Sequence, residues 1–460
     1  MEKKKLSFIE KLGFAFFAGG YNLIYYFKGS YYLFFLTNIL GIGMKTAGAL
    51  VTAGAVWDAV NDPLIGYYTI NHSTRKGEHI RYSLLYFALP VAICFVLLFT
   101  RFRTSEAVTV IIAGIVFFIY DSMLTFFGIG YSEMPTVATD DQDDRTSINV
   151  FRSVGSNVGT IIAALSCFPL LNAFGALDAD GNLIPATAAR GFFLVTVIYA
   201  AICMFAAVFH YFTTKERVRP KDEGQKMSFV DMIKTLFGYK QFNLCTIQIM
   251  AYNVAILIMQ TVVNYYATYI TGSTAMGTTF LAAFILGMIL SSALLVPFFD
   301  RKLGHKKTML LGAVIYALGK LPFVLAPTST AMAVLNFALS GVGAAMLYVT
   351  VFVYLSNISD LIEWRSGKRM DAGIGTVSGF VTVISSAIAT EILAIVLDAS
   401  GFDASLAQQP QSALTAISTL LGWAPFIVSI LMMVATYLLN IDSDLEEMKS
   451  TAGESTESVT

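Results

Sequence analysis

Charge is what this 460-residue chain has least of: Asp, Glu, Lys and Arg together make up 13% of it, where a soluble domain carries about 25%. Its net charge is −1, from 30 basic and 31 acidic residues, and no basic face gathers that would suit nucleic acid. Cysteine is scarce. Cys94, Cys167, Cys203 and Cys245 all fall inside apolar runs without paired spacing, so they read as small core residues, not as disulfides or metal ligands. The four histidines, His72, His79, His210 and His305, stand at the ends of runs or in loops and form no ligand pattern. A phosphate-binding glycine loop, a nucleophile motif and a metal-ligand spacing are all missing. Neither an enzyme nor a metal or other cofactor is therefore expected. The basic stretch Met1 to Lys11 runs into a long apolar segment without a small-residue cleavage site, so no cleaved signal peptide is expected.

What the chain has in quantity is apolar sequence, 56% of all residues, with a mean hydropathy of +0.67. A bilayer needs ~20 apolar residues per crossing, and the runs predict an all-α polytopic membrane protein of twelve transmembrane helices. They fall at about 12–40, 45–71, 80–100, 106–133, 149–174, 191–214, 241–271, 276–299, 307–326, 330–358, 372–399 and 412–440. The longest break divides six runs from six. The expected organisation is thus a six-helix bundle over 1–214, a central cytoplasmic loop over 215–240, a second six-helix bundle over 241–441, and a disordered acidic tail over 442–460.

Lys and Arg set the orientation. The side that holds both termini carries 24 of the 30, seven of them in the central loop, and the other side only Lys45, Arg101, Arg103 and Arg190. Such asymmetry places both termini in the cytoplasm, in a plasma (inner) membrane.

Two carboxylates interrupt the second apolar run, within Trp57-Asp58-Ala59-Val60-Asn61-Asp62-Pro63. Asp58 and Asp62 are four residues apart and so share a helix face. Each costs at least ~2.5 kcal/mol to bury at mid-membrane, and both are too short to reach the headgroups. A pair tolerated by internal bonding is the plainer reading; two such costs on one face point instead to a polar path. There is also an internal echo. Run 2 is followed by Arg75-Lys76-Gly77-Glu78-His79-Ile80-Arg81 and run 8 by Asp300-Arg301-Lys302-Leu303-Gly304-His305-Lys306-Lys307. A basic turn around a glycine in the same place of each half suggests two related halves, which is the arrangement of the major facilitator superfamily.

The motif at 57–63 followed by Arg75-Lys76-Gly77 resembles the glycoside-pentoside-hexuronide:cation symporter family, the melibiose permease type. Ala251-Tyr252-Asn253 opens run 7 much as in that family, and Asp360-Leu361-Ile362-Glu363-Trp364-Arg365-Ser366-Gly367-Lys368-Arg369 is similar to its signature at the end of run 10. The resemblance covers essentially the whole chain. It implies a secondary active transporter that couples a cation to symport of a small glycoside or related sugar by alternating access, acting as a monomer in the lipid bilayer. Carried over by position, the coupling-cation residues are Asp58, Asn61 and Asp62, and the substrate-binding residues Asn22, Tyr131, Arg152 and Tyr348. Two positions depart from the pattern: Phe127 replaces a carboxylate of sodium-coupled members, and Val383 replaces a lysine. With the carboxylate gone, a proton shared by Asp58 and Asp62 is the expected coupling ion in place of sodium, since neighbouring buried carboxylates favour a common proton. The rival is sodium held with help from Thr125 or backbone carbonyls. The departures also leave two other readings, a lysolipid or amphiphile carrier and a non-transporting sensor that kept the fold.

Four further charges lie within the runs: Lys28, Asp121, Lys320 and Glu391. Lys320 is expected to snorkel outward. Lys28 and Asp121 have no easy route to water, and their sequence positions do not decide whether they touch. Asp360, Glu363, Arg365, Lys368 and Arg369 are expected to form salt bridges at a cytoplasmic gate.

Overall fold

The computed structural model describes residues 5–71, 80–139, 141–217, 229–366, 370–406 and 408–448. Among these, secondary structure is helical apart from one isolated bridge, Leu177 with Leu183. Helices fall on all twelve expected apolar runs, and nine of the described helices are long and apolar enough to cross a membrane.

The helices begin and break where local chemistry says they should. α1 (Phe8–Phe34) opens on Ser7, whose hydroxyl accepts from the Glu10 N–H while the Glu10 carboxylate accepts from the Ser7 N–H, a reciprocal cap. It continues as a π-helical turn over Phe35–Ile39. α2 (Met44–Asn71) carries the paired carboxylates. Run 3 is split into α3 (Tyr82–Tyr86) and α4 (Ala88–Leu98), because Pro90 has no N–H to continue the ladder and sits best in a first turn. α5 (Glu106–Ser132), α6 (Met134–Ala138), α7 (Gln142–Ala173), α8 (Ala188–Thr213) and α9 (Phe229–Gly238) follow. α10 (Lys240–Tyr269) leads to α11 (Met276–Leu290), a π turn over Ser291–Leu295, and α12 (Val296–Leu303), whose second residue, Pro297, explains the offset. After α13 (His305–Leu325), α14 (Thr330–Ser366) and α15 (Asp371–Ala399), the last run breaks at Gly422 into α16 (Gln411–Leu421) and α17 (Trp423–Leu438). Pro425, again in a first turn, marks that break.

The chain forms two compact units. One comprises Met1–Asp222, Val263–Ala282 and Thr390–Leu414, and the other Glu223–Val262, Ala283–Ala389 and Thr415–Thr460. The segments 263–282 and 390–414 join the first unit although they belong to the second half of the sequence.

In the first unit α1 and α7 touch backbone to backbone. A Cβ on Gly155 would stand 1.9 Å from the Ala15 carbonyl oxygen, and one on Gly159 would stand 2.0 Å from that of Gly19. Glycines four apart let membrane helices approach this closely. The other side of α1 packs aromatically: Phe27 meets Phe99 at 5.0 Å and Tyr199 at 5.1 Å between ring centres. Tyr31 and Tyr32 are buried in the same layer, against Phe168 and Phe117. Polar contacts tie α1 and the π turn after it to α10. Asn264 Nδ2 donates to the Ser30 carbonyl (2.8 Å), the Thr37 and Tyr265 hydroxyls are 2.9 Å apart, and Asn38 Nδ2 donates to the Tyr269 hydroxyl (2.6 Å).

The end of this unit that holds the N-terminus is braced by ion pairs. Lys11 Nζ lies 3.0 Å from Asp144 Oδ1, and the Leu6 N–H donates to Asp144 Oδ2 at 2.9 Å. Burial pushes the Asp144 carboxyl up, but the Leu6 N–H and the Lys11 ammonium outweigh it and hold it below the usual range. Glu10 behaves likewise: burial raises it, and the Arg217 guanidinium with the Ser7 cap more than reverses that.

The second unit repeats the close packing, with a Gly341 Cβ position 2.0 Å from the Phe284 carbonyl oxygen and a Gly343 Cβ position 2.5 Å from that of Gly312. Its tail departs from expectation. The segment 441–448 is helical, not disordered, because its aspartates find partners. The Tyr354 hydroxyl donates to Asp442 Oδ2 (3.1 Å), the Tyr239 hydroxyl donates to Asp444 Oδ2 (2.7 Å), and Arg365 Nη2 lies 3.6 Å from Asp444 Oδ1. Of the expected gate charges, Arg365 thus pairs with the tail, while Lys368 and Arg369 lie outside the described residues. So do Arg75 to His79 of the first basic turn. The second turn is formed on Gly304 at φ +79°, a conformation glycine adopts at little cost.

Candidate functional site

Three of the four expected substrate residues come together in the first unit. Asn22 on α1 donates its amide to Ser156 Oγ on α7 at 3.0 Å, and the same hydroxyl lies 3.0 Å from that of Tyr131 on α5. Arg152, one helical turn before Ser156, holds its guanidinium over the Tyr131 ring, 4.3 Å from its centre, and donates to Asn149 Oδ1 at 3.2 Å. Tyr131 also stacks on Tyr21, with ring centres 5.0 Å apart and planes within 9°, and Tyr21 stacks in turn on Tyr25 at 6.1 Å. A cation, an amide, hydroxyls and a column of aromatic faces are thereby assembled from three helices. Planar rings suit the apolar face of a sugar, and the guanidinium fork suits vicinal hydroxyls or a carboxylate.

Ser156 and Tyr21 were not signalled by the sequence. Ser156 carries no charge, and Tyr21 is one of 22 tyrosines; only the crossing of α1, α5 and α7 singles them out. The fourth expected residue, Tyr348 on α14, lies in the second unit. There it packs against Phe352 (4.7 Å) and Tyr252 (5.6 Å), which places the Ala251-Tyr252-Asn253 motif beside it.

The expected coupling residues line the α2 face toward α5. Asn61 Nδ2 donates to Thr125 Oγ1 at 3.2 Å, and that hydroxyl lies 2.8 Å from Asp62 Oδ1 and 3.0 Å from the Asp121 carbonyl oxygen. Trp57 Nε1 donates to Ser122 Oγ at 2.9 Å, pinning the start of the motif to the same helix. Asp58 is half-buried, and its Oδ1 accepts no hydrogen bond among the described residues. Phe127 is fully buried and turns to α1, edge-on to Phe17 at 5.0 Å, so this position itself offers no oxygen.

The remaining intramembrane charges each find a place. Lys28 of α1 and Asp121 of α5 form an ion pair, which their sequence positions left open. Thr52 donates to Glu391 Oε2 at 2.9 Å. Lys320 does not snorkel. It is fully buried, donating to Ser340 Oγ at 2.8 Å with its ammonium 4.6 Å from the centre of the Tyr316 ring. The reason is its register: neighbouring Gly319 packs against α14, leaving 2.9 Å between a Cβ there and that of Leu339, and Lys320 is carried into the same contact.

The chain is similar to known membrane transporters along nearly its whole length. The chain is 25% identical over 430 residues to the isoprimeverose transporter of Lactiplantibacillus pentosus, covering 92% of this chain and 86% of that one. It is 26% identical to the inner membrane symporter YicJ of Escherichia coli (94% and 91% covered), and 27% identical to the putative glycoside/cation symporter YagG of the same organism (88% and 86%). Among solved structures, a D-xylose-proton symporter superimposes with a TM-score of 0.61 at 15% identity, over 94% of this chain and 95% of that one. The nucleoside transporter NupG gives 0.61 at 13%, over 93% and 98%. Those two likenesses speak for the fold alone, that of an all-helical membrane transporter. The family model for MFS/sugar transport proteins matches residues 13–443, and the chain belongs to that family of membrane transporters.

Proposed function

We propose that this protein carries a small neutral or anionic glycoside across the inner membrane together with a proton, as a monomer with both termini in the cytoplasm. The observation that carries the reading is the joining of Asn22, Tyr131 and Arg152 around Ser156, in the same unit as the α2 carboxylates. Aromatic faces beside an amide and a guanidinium are the chemistry of sugar recognition, and the relatives named for isoprimeverose and for glycoside/cation symport favour that class. A proton is favoured over sodium because Phe127 supplies no oxygen where a further ligand would be needed. A dry sodium site needs several oxygens, whereas a carboxylate pair can take up a proton without help.

The test is uptake by proteoliposomes of the purified protein against a panel of glycosides, uronates and lysolipids, with a proton or a sodium gradient imposed. Accumulation of a glycoside or uronate driven by the proton gradient is expected. Uptake of lysolipids alone would overturn the substrate class, and accumulation driven by sodium but not by protons would overturn the ion.

A further inference from the structure

The Lys28–Asp121 pair joins α1 to α5 beside the α2 carboxylates. A buried ion pair is a poor way to hold two membrane helices together, because desolvation consumes most of the attraction. This one is also incomplete. Asp121 Oδ1 is taken by the Lys28 ammonium, but Asp121 Oδ2 and Asp58 Oδ1 are both buried with no hydrogen-bond donor among the described residues. The side chain of Asp121 is 1% exposed and that of Lys28 16%, and the rings of Phe117 and Tyr120 lie 4.6 Å and 5.3 Å from the ammonium. The charged and titratable groups within its electrostatic reach are Tyr25 of α1, Asp58 and Asp62 of α2, and Asp121 of α5. Tyr32 and Tyr120 flank Asp121. Three carboxylates therefore face a single ammonium.

We propose that Lys28 is a tethered counter-cation of the coupling site. Held between Asp121 and the unpartnered edge of Asp58, its ammonium supplies the positive charge that a bound metal ion would otherwise bring, and its repulsion keeps sodium out. The selectivity of the site for a proton is then set from α1 as well as by the missing oxygen at Phe127. Lys28 is on this account a specificity-determining residue. The inference rests on reading Asp58 and Asp62 as the coupling carboxylates, but not on the identity of the sugar.

The experiment measures sodium binding to the purified full-length protein, by equilibrium dialysis with radioactive sodium and by sodium protection against thermal unfolding. Neither readout needs substrate or transport. Wild type and Lys28→Arg, which keeps the charge, are expected to bind no sodium. Lys28→Met is expected to gain sodium affinity by about tenfold or more, since removing one neighbouring charge is worth that much near a protein interior. Adding Asp58→Asn to Lys28→Met is expected to abolish the gain. Should Lys28→Met fail to fold, Lys28→Gln, which removes the charge and keeps a polar end for Asp121, carries the same expectation. Sodium binding by wild type, or a folded Lys28→Met without any gain, would overturn the proposal. A purely structural pair would lower thermal stability in Lys28→Met without conferring sodium binding. Loss of glycoside transport in proteoliposomes would count against the proposed function and leave this result standing.

Discussion

The guanidinium of Arg152 lies 4.3 Å from the centre of the Tyr131 ring, on which Tyr21 stacks at 5.0 Å. The ring thus meets both a cation and a second ring, and its hydroxyl lies 3.0 Å from that of Ser156. Replacing Arg152 with lysine keeps the charge but loses the planar fork. A charged hydrogen bond is worth about 1.5–3 kcal/mol, so Arg152→Ala is expected to weaken binding of a confirmed substrate tenfold or more. Arg152→Lys should weaken it less. Unchanged affinity in both, measured by titration calorimetry, would remove Arg152 from the site.

The carboxylate pair is expected to separate binding from coupling. Asp62→Asn should still equilibrate substrate across a proteoliposome membrane but no longer accumulate it under a proton gradient. The counterflow rate is the control: if it falls with accumulation, Asp62 serves substrate passage and not coupling alone.

How much of this was legible in the sequence follows from what sequence can encode. The twelve runs and the α2 motif are readable, because a mid-membrane polar residue is conspicuous against an apolar background, whereas Asn22, Tyr131 and Arg152 are singled out by the family resemblance and Ser156 and Tyr21 beside them by neither. Partners are not readable. The pairing of Lys28 with Asp121 spans 93 positions, and no periodicity links them. Lys320 illustrates the opposite failure. Its apolar stem permits snorkelling, and only the packing of α13 on α14 decides that it points inward. The helix over 441–448 is not legible because acidic composition suggests disorder, while Tyr239, Tyr354 and Arg365, which hold it, lie far away in the chain; 449–460 lie outside the described residues.

The ion pairs at the N-terminal end of the first unit predict an acid response. The carboxyls of Asp144 and Glu10 are held below their usual values when folded, so they stabilise the protein above the ordinary carboxylate range of about 4. That contribution is lost as pH falls through the lowered values. The thermal unfolding midpoint in detergent should drop between pH 5 and the most acidic condition tolerated, where those pH values lie about the range just given. Asp144→Asn should start lower at neutral pH and drop less.

Close contact of α1 with α7 makes Gly155 intolerant of even one methyl group. With a Cβ 1.9 Å from the Ala15 oxygen, Gly155→Ala should destabilise by roughly 1–3 kcal/mol. Gly29, whose Cβ position meets nothing within 4 Å, is the matched control, and Gly29→Ala should leave the unfolding midpoint unchanged or raise it.

Topology has its own test. Single cysteines placed in the 215–240 segment, which carries seven basic residues, should react with a membrane-impermeant thiol reagent only from the cytoplasmic side. Labelling there from outside would overturn the orientation.

The hydrogen bonds that join Ser30, Thr37 and Asn38 to Asn264, Tyr265 and Tyr269 act as a clasp between the first and second halves of the sequence. None of those six residues is among the positions proposed to face the sugar or to carry the proton. Substitutions that loosen the clasp are therefore expected to change the rate of transport and to leave substrate affinity as it is, so that speed and specificity would drift separately under mutation.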